Sequence, residues 1–384
     1  MEFRDLKAQY NNYKKEIDNR IEQVMMNSDF IGGKEVEILE ERLADYVGVK
    51  HCITCANGTD ALTLVLQAWG IGKGDAVFIP DFTFFATGEV VSYEGATPIF
   101  VDVDKNTFNI DSSDLEKKIL EVIHNTDLIP KVIIPVDLFG LPADYNAIED
   151  IAKKYNILVL EDGAQGFGGK IGNKVACSFG DAATTSFFPA KPLGCYGDGG
   201  AIFTNDDNLN DLIRSLKFHG KSDHKYNNVR IGMNSRLDTI QAAILNVKLD
   251  AFINHEFEDV NKVYEKYNKG LKNIVKVPII PENFLSSFAQ YTITLNSEDE
   301  RNNLQKYLKE FDIPTNIYYP KPMHKQSAFG NLEMPQNKNT IELCKTVLSL
   351  PMHPYLTDSD INFVISKVKD FYNFSKSIDL RSIM

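Results

Sequence analysis

The stretch "TTSFFPAKPLGCYGDGGAIFTN", residues 184–205, sets one lysine, Lys191, between Pro189 and Pro192 and follows it with the glycine-rich "GDGG" of residues 197–200. Lysine ordinarily sits on a solvated surface. Here rigid residues hold it, and the glycines let the backbone turn tightly and approach a ligand without Cβ clashes. A lysine becomes a nucleophile when its ammonium is desolvated or lies beside another cation, because both lower its pKa. Ser186, five residues earlier on the same segment, is placed to offer a hydroxyl to a phosphate. The competing reading is a surface-loop lysine, which the flanking aromatics, prolines and glycines disfavour.

On either side of this stretch, short β-rich runs alternate with helical ones. "HCITC" (51–55) precedes the helix-like "TDALTLVLQAW", and "AVFIP" precedes "ATGEVVSYEG". Then come "PIFVDV", "KVIIPV", the helical "ADYNAIEDIAKKY" and "ILVLED". Strands alternating with helices imply parallel pairing with right-handed crossovers, hence an α/β fold around a mostly parallel sheet. "ATTSFF" and "GGAIFT", flanking the lysine, would extend that sheet. Upstream, Tyr13, Ile17, Ile21 and Val24 recur at a helical period, as do Val36, Leu39 and Leu43. After "NSRLDTIQAAILNVKL" a helical stretch runs to about residue 272, "FAQYTITL" opens a strand–helix–strand region, and the chain divides into a large domain, 1–255, and a smaller one, 256–384.

Length and charge bound the partners. With 384 residues, 43% hydrophobic and 24% charged, the chain has the composition of a globular protein with a large core. A net charge of −12 argues against nucleic acid or an anionic membrane as partner, so an anionic substrate would need a local cluster of donors. Five cysteines, an odd number, suit a reducing compartment, and Cys52 and Cys55 alternate as a buried strand would rather than as a metal pair. The N-terminus lacks an apolar leader and no window reaches 18 apolar residues, so the expected location is the cytoplasm.

Three further motifs fall where open α/β sheets bind ligands, beyond the carboxyl ends of strands. "CANGTDAL" (55–62) reads as strand, Gly-Thr turn and helix, and such a helix N-terminus is either a phosphate site or a simple cap. "LVLEDGAQGFGG" (158–169) ends a strand in Glu161-Asp162; that carboxylate either caps a turn or faces a buried cationic nitrogen that keeps it ionised. In "VRIGMNSRLDTIQAAIL", Gly232, Asn234 and Arg236 precede a periodic helix, where the plain reading is capping. A phosphate-binding turn, a strand-end carboxylate and an activated lysine together describe a site for pyridoxal 5'-phosphate. The histidines show no metal spacing, and "FHGKSDHKY" (218–226) reads as a polar loop over the site.

These motifs, in this order, resemble the aspartate-aminotransferase-type (fold type I) enzymes, and more closely the nucleotide-sugar aminotransferases of the DegT/StrS group. The resemblance runs from "FRDLKAQ" through "NGTDAL", "PDFTFFATGE", "EDGAQGFGG", "SFFPAKPLGCYGDGG" and "NSRLDTIQAAIL" to "YYPKPMHKQ" and "LSLPMHP". It implies an α/β large domain with a seven-stranded, mostly parallel sheet plus a smaller C-terminal domain. It also implies that Lys191 binds the cofactor covalently and shuttles the proton, while Asp162 pairs with the pyridinium nitrogen. Gln165 would sit near the ring's phenolic oxygen, Gly58, Thr59 and Ser186 would hold the phosphate, and Phe84 would stack on the ring. Asn234 is expected to reach the phosphate in the neighbouring subunit of a homodimer with shared active sites. Arg236, Tyr318, Tyr319 and His324 are the expected substrate contacts. Some relatives carry histidine at the lysine position and are dehydratases; Lys191 favours transamination. Many relatives read His-Tyr-Pro where this chain has Tyr318-Tyr319-Pro320, and Gly163 stands where alanine is usual.

Within the group the sequence is most similar to enzymes that aminate the 3-keto group of a UDP-N-acetylhexosaminuronic acid for surface polysaccharide, with L-glutamate as donor and 2-oxoglutarate as its product. The alternative substrate is a 4-keto- or 3-keto-6-deoxy nucleotide sugar. Two other classes compete. A regulatory protein that holds the cofactor without turnover is opposed by the intact Lys191, Asp162 and Ser186. A P-loop nucleotide binder is opposed by the absence of G-x-x-x-x-G-K-[ST].

Overall fold

In a computed structural model, which describes residues 1–222, 224, 226–330 and 335–382, the apolar runs pair as strands and the periodic stretches pack over them. Helices α1 (Leu6–Asn27) and α2 (Lys34–Val47) precede β1 (His51–Cys55). Then follow α3 (Gly58–Ala68), β2 (Asp75–Pro80), α4 (Ala86–Tyr93), β3 (Thr97–Val101), α5 (Ser112–Asn125), β4 (Ile129–Ile133), α6 (Tyr145–Tyr155) and β5 (Leu158–Asp162). A small ribbon, β6 (Lys170–Ile171) and β7 (Lys174–Val175), leads to β8 (Ala182–Ser186), β9 (Gly200–Thr204), α7 (Asp207–Leu216) and α8 (Thr239–Ala251).

Seven strands form one sheet in the order β1-β9-β8-β5-β4-β2-β3. The pairs among β3, β2, β4, β5 and β8 are parallel, as helical crossovers require. β9 runs antiparallel to both β1 and β8. No helix lies between β8 and β9, so the chain returns beside the strand it has just left. That return segment carries Lys191. The strands read as unbroken apolar runs because both faces are covered: Val77 and Ile79 pack under α3 and α4, while Ala76 and Phe78 pack under α5 and α6.

α8 passes through a wide π-turn, Phe252–Glu256, into α9 (Phe257–Leu271), and the expected domain boundary at 255/256 falls within that turn. A second core follows. In it β11 (Tyr291–Thr294) pairs antiparallel with β12 (Val347–Leu350), flanked by α10 (Glu298–Lys309), α11 (Lys338–Thr346) and the long α12 (Asp358–Ser382). β10 (Phe284–Leu285) adds to the small ribbon at β6. Tyr267, Tyr291, Leu304, Leu308 and Val364 are buried there, apart from the core of the large sheet. Among the described residues no helix is long and apolar enough to cross a membrane, and all five cysteines are buried free thiols.

Candidate active site

The end of β5 separates two adjacent carboxylates by the period-two alternation of a strand. Glu161 points into the protein, where its oxygens accept the N–H groups of Cys177 (2.5 Å) and Phe179 (2.8 Å). Asp137 lies beside it, accepting from Ala143 N (3.0 Å) and the Tyr145 hydroxyl (2.9 Å). Burial, then their mutual repulsion, raises the Glu161 carboxyl far above the carboxylate range; burial likewise raises Asp137. Asp162 faces the other way, into a cavity of about 790 Å³. Its Oδ2 accepts the Thr87 hydroxyl at 2.8 Å and its Oδ1 the Ala164 N–H at 3.2 Å. Burial raises its pKa; these two hydrogen bonds and the Lys191 charge pull the other way. A buried carboxylate in that balance is suited to a cationic ligand nitrogen.

Lys191 lines the same cavity. Its loop is held at several points: Phe187 N donates to Gly199 O (2.7 Å), Cys195 N to Phe187 O (2.7 Å) and Lys191 N to Phe188 O (2.9 Å). Tyr196 N donates to the Gln241 side chain of α8 (2.9 Å). Burial pulls the Lys191 ammonium down to about 8; Asp162 opposes this and Arg4 adds to it. Near neutral pH a useful fraction of the amine is therefore free base, the form that attacks a carbonyl.

The third wall is the start of α3. Asn57 caps this helix by accepting the Asp60 N–H at 2.8 Å, so the cap is Asn57 rather than the Gly-Thr pair the sequence suggests. The N–H groups of Gly58 and Thr59 have no carbonyl one turn back in the helix, and both residues line the cavity with Ser186. Position 58 requires glycine for space: a Cβ there would lie 2.8 Å from the Ser186 Cβ. A turn of unpaired N–H groups next to a hydroxyl is an anion cup. Asp60 and Asp198 also line the cavity.

Gln165 is oriented on both sides, its Oε1 accepting Phe139 N (3.0 Å) and its Nε2 donating to the Tyr319 hydroxyl (3.2 Å). Phe84, 56% exposed in the single chain, faces the Tyr319 ring at 6.4 Å. Thus Gly58, Thr59, Phe84, Asp162, Gln165, Ser186, Lys191, Tyr318 and Tyr319 line one cavity.

Three expected site residues lie elsewhere. His324 is buried: its ring nitrogen Nδ1 sits 2.5 Å from Asp81 Oδ2 and its backbone N–H donates to Asp81 Oδ1 at 2.8 Å. Asn337 donates to the same carboxylate (3.0 Å), so His324 ties its segment to the end of β2 and does not line the cavity. Asn234 is exposed and pairs with Phe218, and the Arg236 guanidinium stacks on the Phe218 ring at 5.3 Å. Neither lines the cavity of its own chain. The polar loop expected over the site folds back on itself through a Lys221–Asn228 pair, with Ile231 exposed; its residues 223 and 225 lie outside the described residues. Thr87 was not anticipated from the sequence, although it stands within "PDFTFFATGE".

A lysine on the β8–β9 return, a carboxylate at the end of β5 and an anion cup at the first helix of the sheet define a fold type I transferase. Residues 11–369 match the DegT/DnrJ/EryC1/StrS aminotransferase family, and the chain belongs to it. The UDP-2-acetamido-2-deoxy-3-oxo-D-glucuronate aminotransferase of Pseudomonas aeruginosa is 46% identical over 365 residues, 95% of this chain and 98% of that protein. A pleiotropic regulatory protein of Geobacillus stearothermophilus is 41% identical over 373 residues, 96% of this chain and 97% of that protein. The crystal structure of a DegT/DnrJ/EryC1/StrS aminotransferase from Brucella abortus superposes with a TM-score of 0.94 and 47% identity, covering 97% of this chain and 99% of that one.

Proposed function

We propose that the cavity holds pyridoxal 5'-phosphate on Lys191 and moves an amino group from L-glutamate to a nucleotide-linked keto-sugar. The sugar we favour is a UDP-N-acetylhexosaminuronic acid with its keto group at carbon 3, a precursor of surface polysaccharide. The similarity to the Pseudomonas aeruginosa aminotransferase supports this choice. The observation that carries the reading is the convergence of Lys191, Asp162 and the α3 cup on one cavity.

When bound, the cofactor supplies an electron sink that stabilises negative charge at the substrate carbon. Asp162, held by Thr87 and Ala164, would offer its carboxylate to the ring nitrogen. The N–H groups of Gly58 and Thr59 and the Ser186 hydroxyl would hold the phosphate, and Phe84 would pack against the ring. Lys191 serves first as the covalent anchor. Once an amino donor has displaced it, its free amine would move a proton from the donor carbon to the cofactor in the first half-reaction and from the cofactor to the sugar carbon in the second. Gln165, bonded to the Tyr319 hydroxyl, would sit near the ring's phenolic oxygen.

Asn234 and Arg236 enter the reading through a homodimer. Both lie outside their own cavity, and the exposed Ile231 is a short way along the same segment. In the dimer we propose that they serve the other subunit's site, Asn234 at the phosphate and Arg236 at the anionic sugar. We assign the work to the cytoplasm, in keeping with five free buried thiols.

The test begins with enzyme carrying the amino group after exposure to L-glutamate. Mixing it with nucleotide keto-sugars and following return of the lysine-bound cofactor's visible band reads the second half-reaction directly. Return with a 3-keto uronic acid and not with a 4-keto-6-deoxy sugar is the expected result. Return with the 4-keto sugar alone would replace the substrate while keeping the chemistry. A band that forms and never exchanges with any amino donor would favour a cofactor-holding regulator.

A further inference from the structure

The "FRDLKAQ" segment at the N-terminus carries a charge that the proposed chemistry leaves unused. Arg4 lies 187 residues from Lys191 in sequence, yet its Nη2 donates to the Lys191 carbonyl oxygen at 2.8 Å and to the Pro192 carbonyl oxygen at 3.3 Å. We propose that Arg4 is a positioning residue for Lys191, fixing the lysine's backbone from behind and holding a permanent positive charge close to its amine. The proposal rests on the assignment of Lys191 as the cofactor-binding nucleophile.

The geometry makes Arg4 a rigid post. On one side, Phe3 O accepts the Met352 N–H at 3.2 Å, which ties the segment to the C-terminal core. The Phe3 ring lies 6.2 Å from the ring of Tyr318, which lines the cavity. On the other side, Asp5 caps α1 by accepting the Ala8 N–H at 2.7 Å. These anchors fix the backbone from which the Arg4 side chain reaches the Lys191 loop. The two carbonyls it binds are those of the lysine itself and of the proline that stiffens it, so the main chain of Lys191 is tied while its side chain reaches the cavity.

The charge acts in the same direction as burial. Two charged groups bear on the Lys191 amine: Asp162 from β5, which favours the ammonium, and Arg4, which disfavours it. Burial disfavours the Arg4 charge itself, while Glu256 of the π-turn and Tyr355 support it. Its field also reaches Lys248 on α8 and His353, disfavouring the protonated form of each. A guanidinium stays ionised across the working range, so its effect on Lys191 does not titrate away.

The test follows full-length protein stripped of cofactor as it takes up pyridoxal 5'-phosphate, recorded by the visible band from pH 6 to 10. The uptake rate reports the free-base fraction of Lys191. Wild type should rise through a midpoint near 8. Arg4→Gln keeps donors without charge and Arg4→Lys keeps charge without the fork. Loss of charge should move the midpoint of Arg4→Gln up by about half a pH unit, a roughly threefold slower uptake on the acid side. Arg4→Lys should keep the wild-type midpoint and lose plateau rate at high pH, because the carbonyls lose their second donor. Identical midpoints and plateaus in all three proteins would overturn the proposal, as would equal midpoint shifts in both variants, which would mean altered packing alone. Circular dichroism identifies a variant that fails to fold, and either variant alone still reads one half of the effect. Failure of the Lys191 assignment looks different: Lys191→Ala would then develop the same band as wild type.

Discussion

Lys191 lies in the return between β8 and β9 and Lys248 in the middle of α8, and burial depresses both ammonium groups, to about 8 and about 7 respectively. By pKa alone Lys248 is the more perturbed. Both also feel the Arg4 charge, but their surroundings otherwise differ. Lys248 is the more enclosed. It is 1% exposed, its Nζ lies 4.7 Å from the centre of the Tyr196 ring, and that nitrogen has no hydrogen-bond partner among the described residues. Lys191 opens onto a cavity that also holds a carboxylate and an anion cup. A lowered pKa therefore records desolvation, which any closed packing can supply. Chemistry needs, in addition, an approach for the carbonyl and a fixed counter-charge for the group that reacts.

Substitution at the two lysines separates these ideas most sharply. Lys191→Ala should lower turnover by about a thousandfold or more, since both covalent attachment and proton transfer are lost. Steady-state rates with L-glutamate and the preferred keto-sugar check this, and a variant within tenfold of wild type would sink the assignment. Next in size is Asp162→Asn. A neutral amide no longer holds the ring nitrogen protonated, and the expected loss is about a hundredfold in kcat. Folding should survive, because burial already opposes the charge there. Thr87→Val is a milder form of the same change. It removes one hydrogen bond to a charged acceptor, a loss of about tenfold in kcat/KM. That bond holds the Asp162 carboxyl down, so its loss should shift the acid limb of the rate profile to higher pH.

How far the sequence reveals these environments depends on how local their causes are. The sheet, its covering helices and the Lys191 loop rest on periodicity and on prolines and glycines next to the residue concerned, and all can be read along the chain. Of the nine candidate residues that converge on one cavity, Asp162 and Ser186 end strands set by that alternation, and Gly58, Thr59 and Lys191 lie in the segments that follow such strands. What escapes is a polar side chain whose partner is remote. Thr87 reaches Asp162 across 75 residues, Arg4 reaches Lys191 across 187, and His324 meets Asp81 across 243. His324 illustrates this: nothing in its neighbours "KPMHK" announces the buried Asp81 carboxylate that it meets in the fold. The direction of β9 is a topological case of the same limit, since nothing in "GGAIFT" itself distinguishes a crossover from a return.

Lys248→Met gives the smallest expected change in rate and the most informative change in stability. Turnover should stay within about twofold of wild type, because Lys248 does not line the cavity. Stability should respond to pH in a defined sense. The folded protein holds Lys248 near 7 against an ordinary value of 10.5, so between those limits the unfolded chain binds more protons than the folded one. Wild-type stability then carries a full penalty below about 7 that is relieved as pH rises toward 10.5. Lys191 contributes a parallel rise from about 8 upward in cofactor-free protein. Lys248→Met removes the first contribution and leaves the second. Melting temperatures of cofactor-free protein should therefore exceed wild type most at pH 6, with the gap closing above pH 9. An unchanged gap across that range would mean that Lys248 keeps its charge in the folded chain, and that its likeness to Lys191 does not extend to protonation.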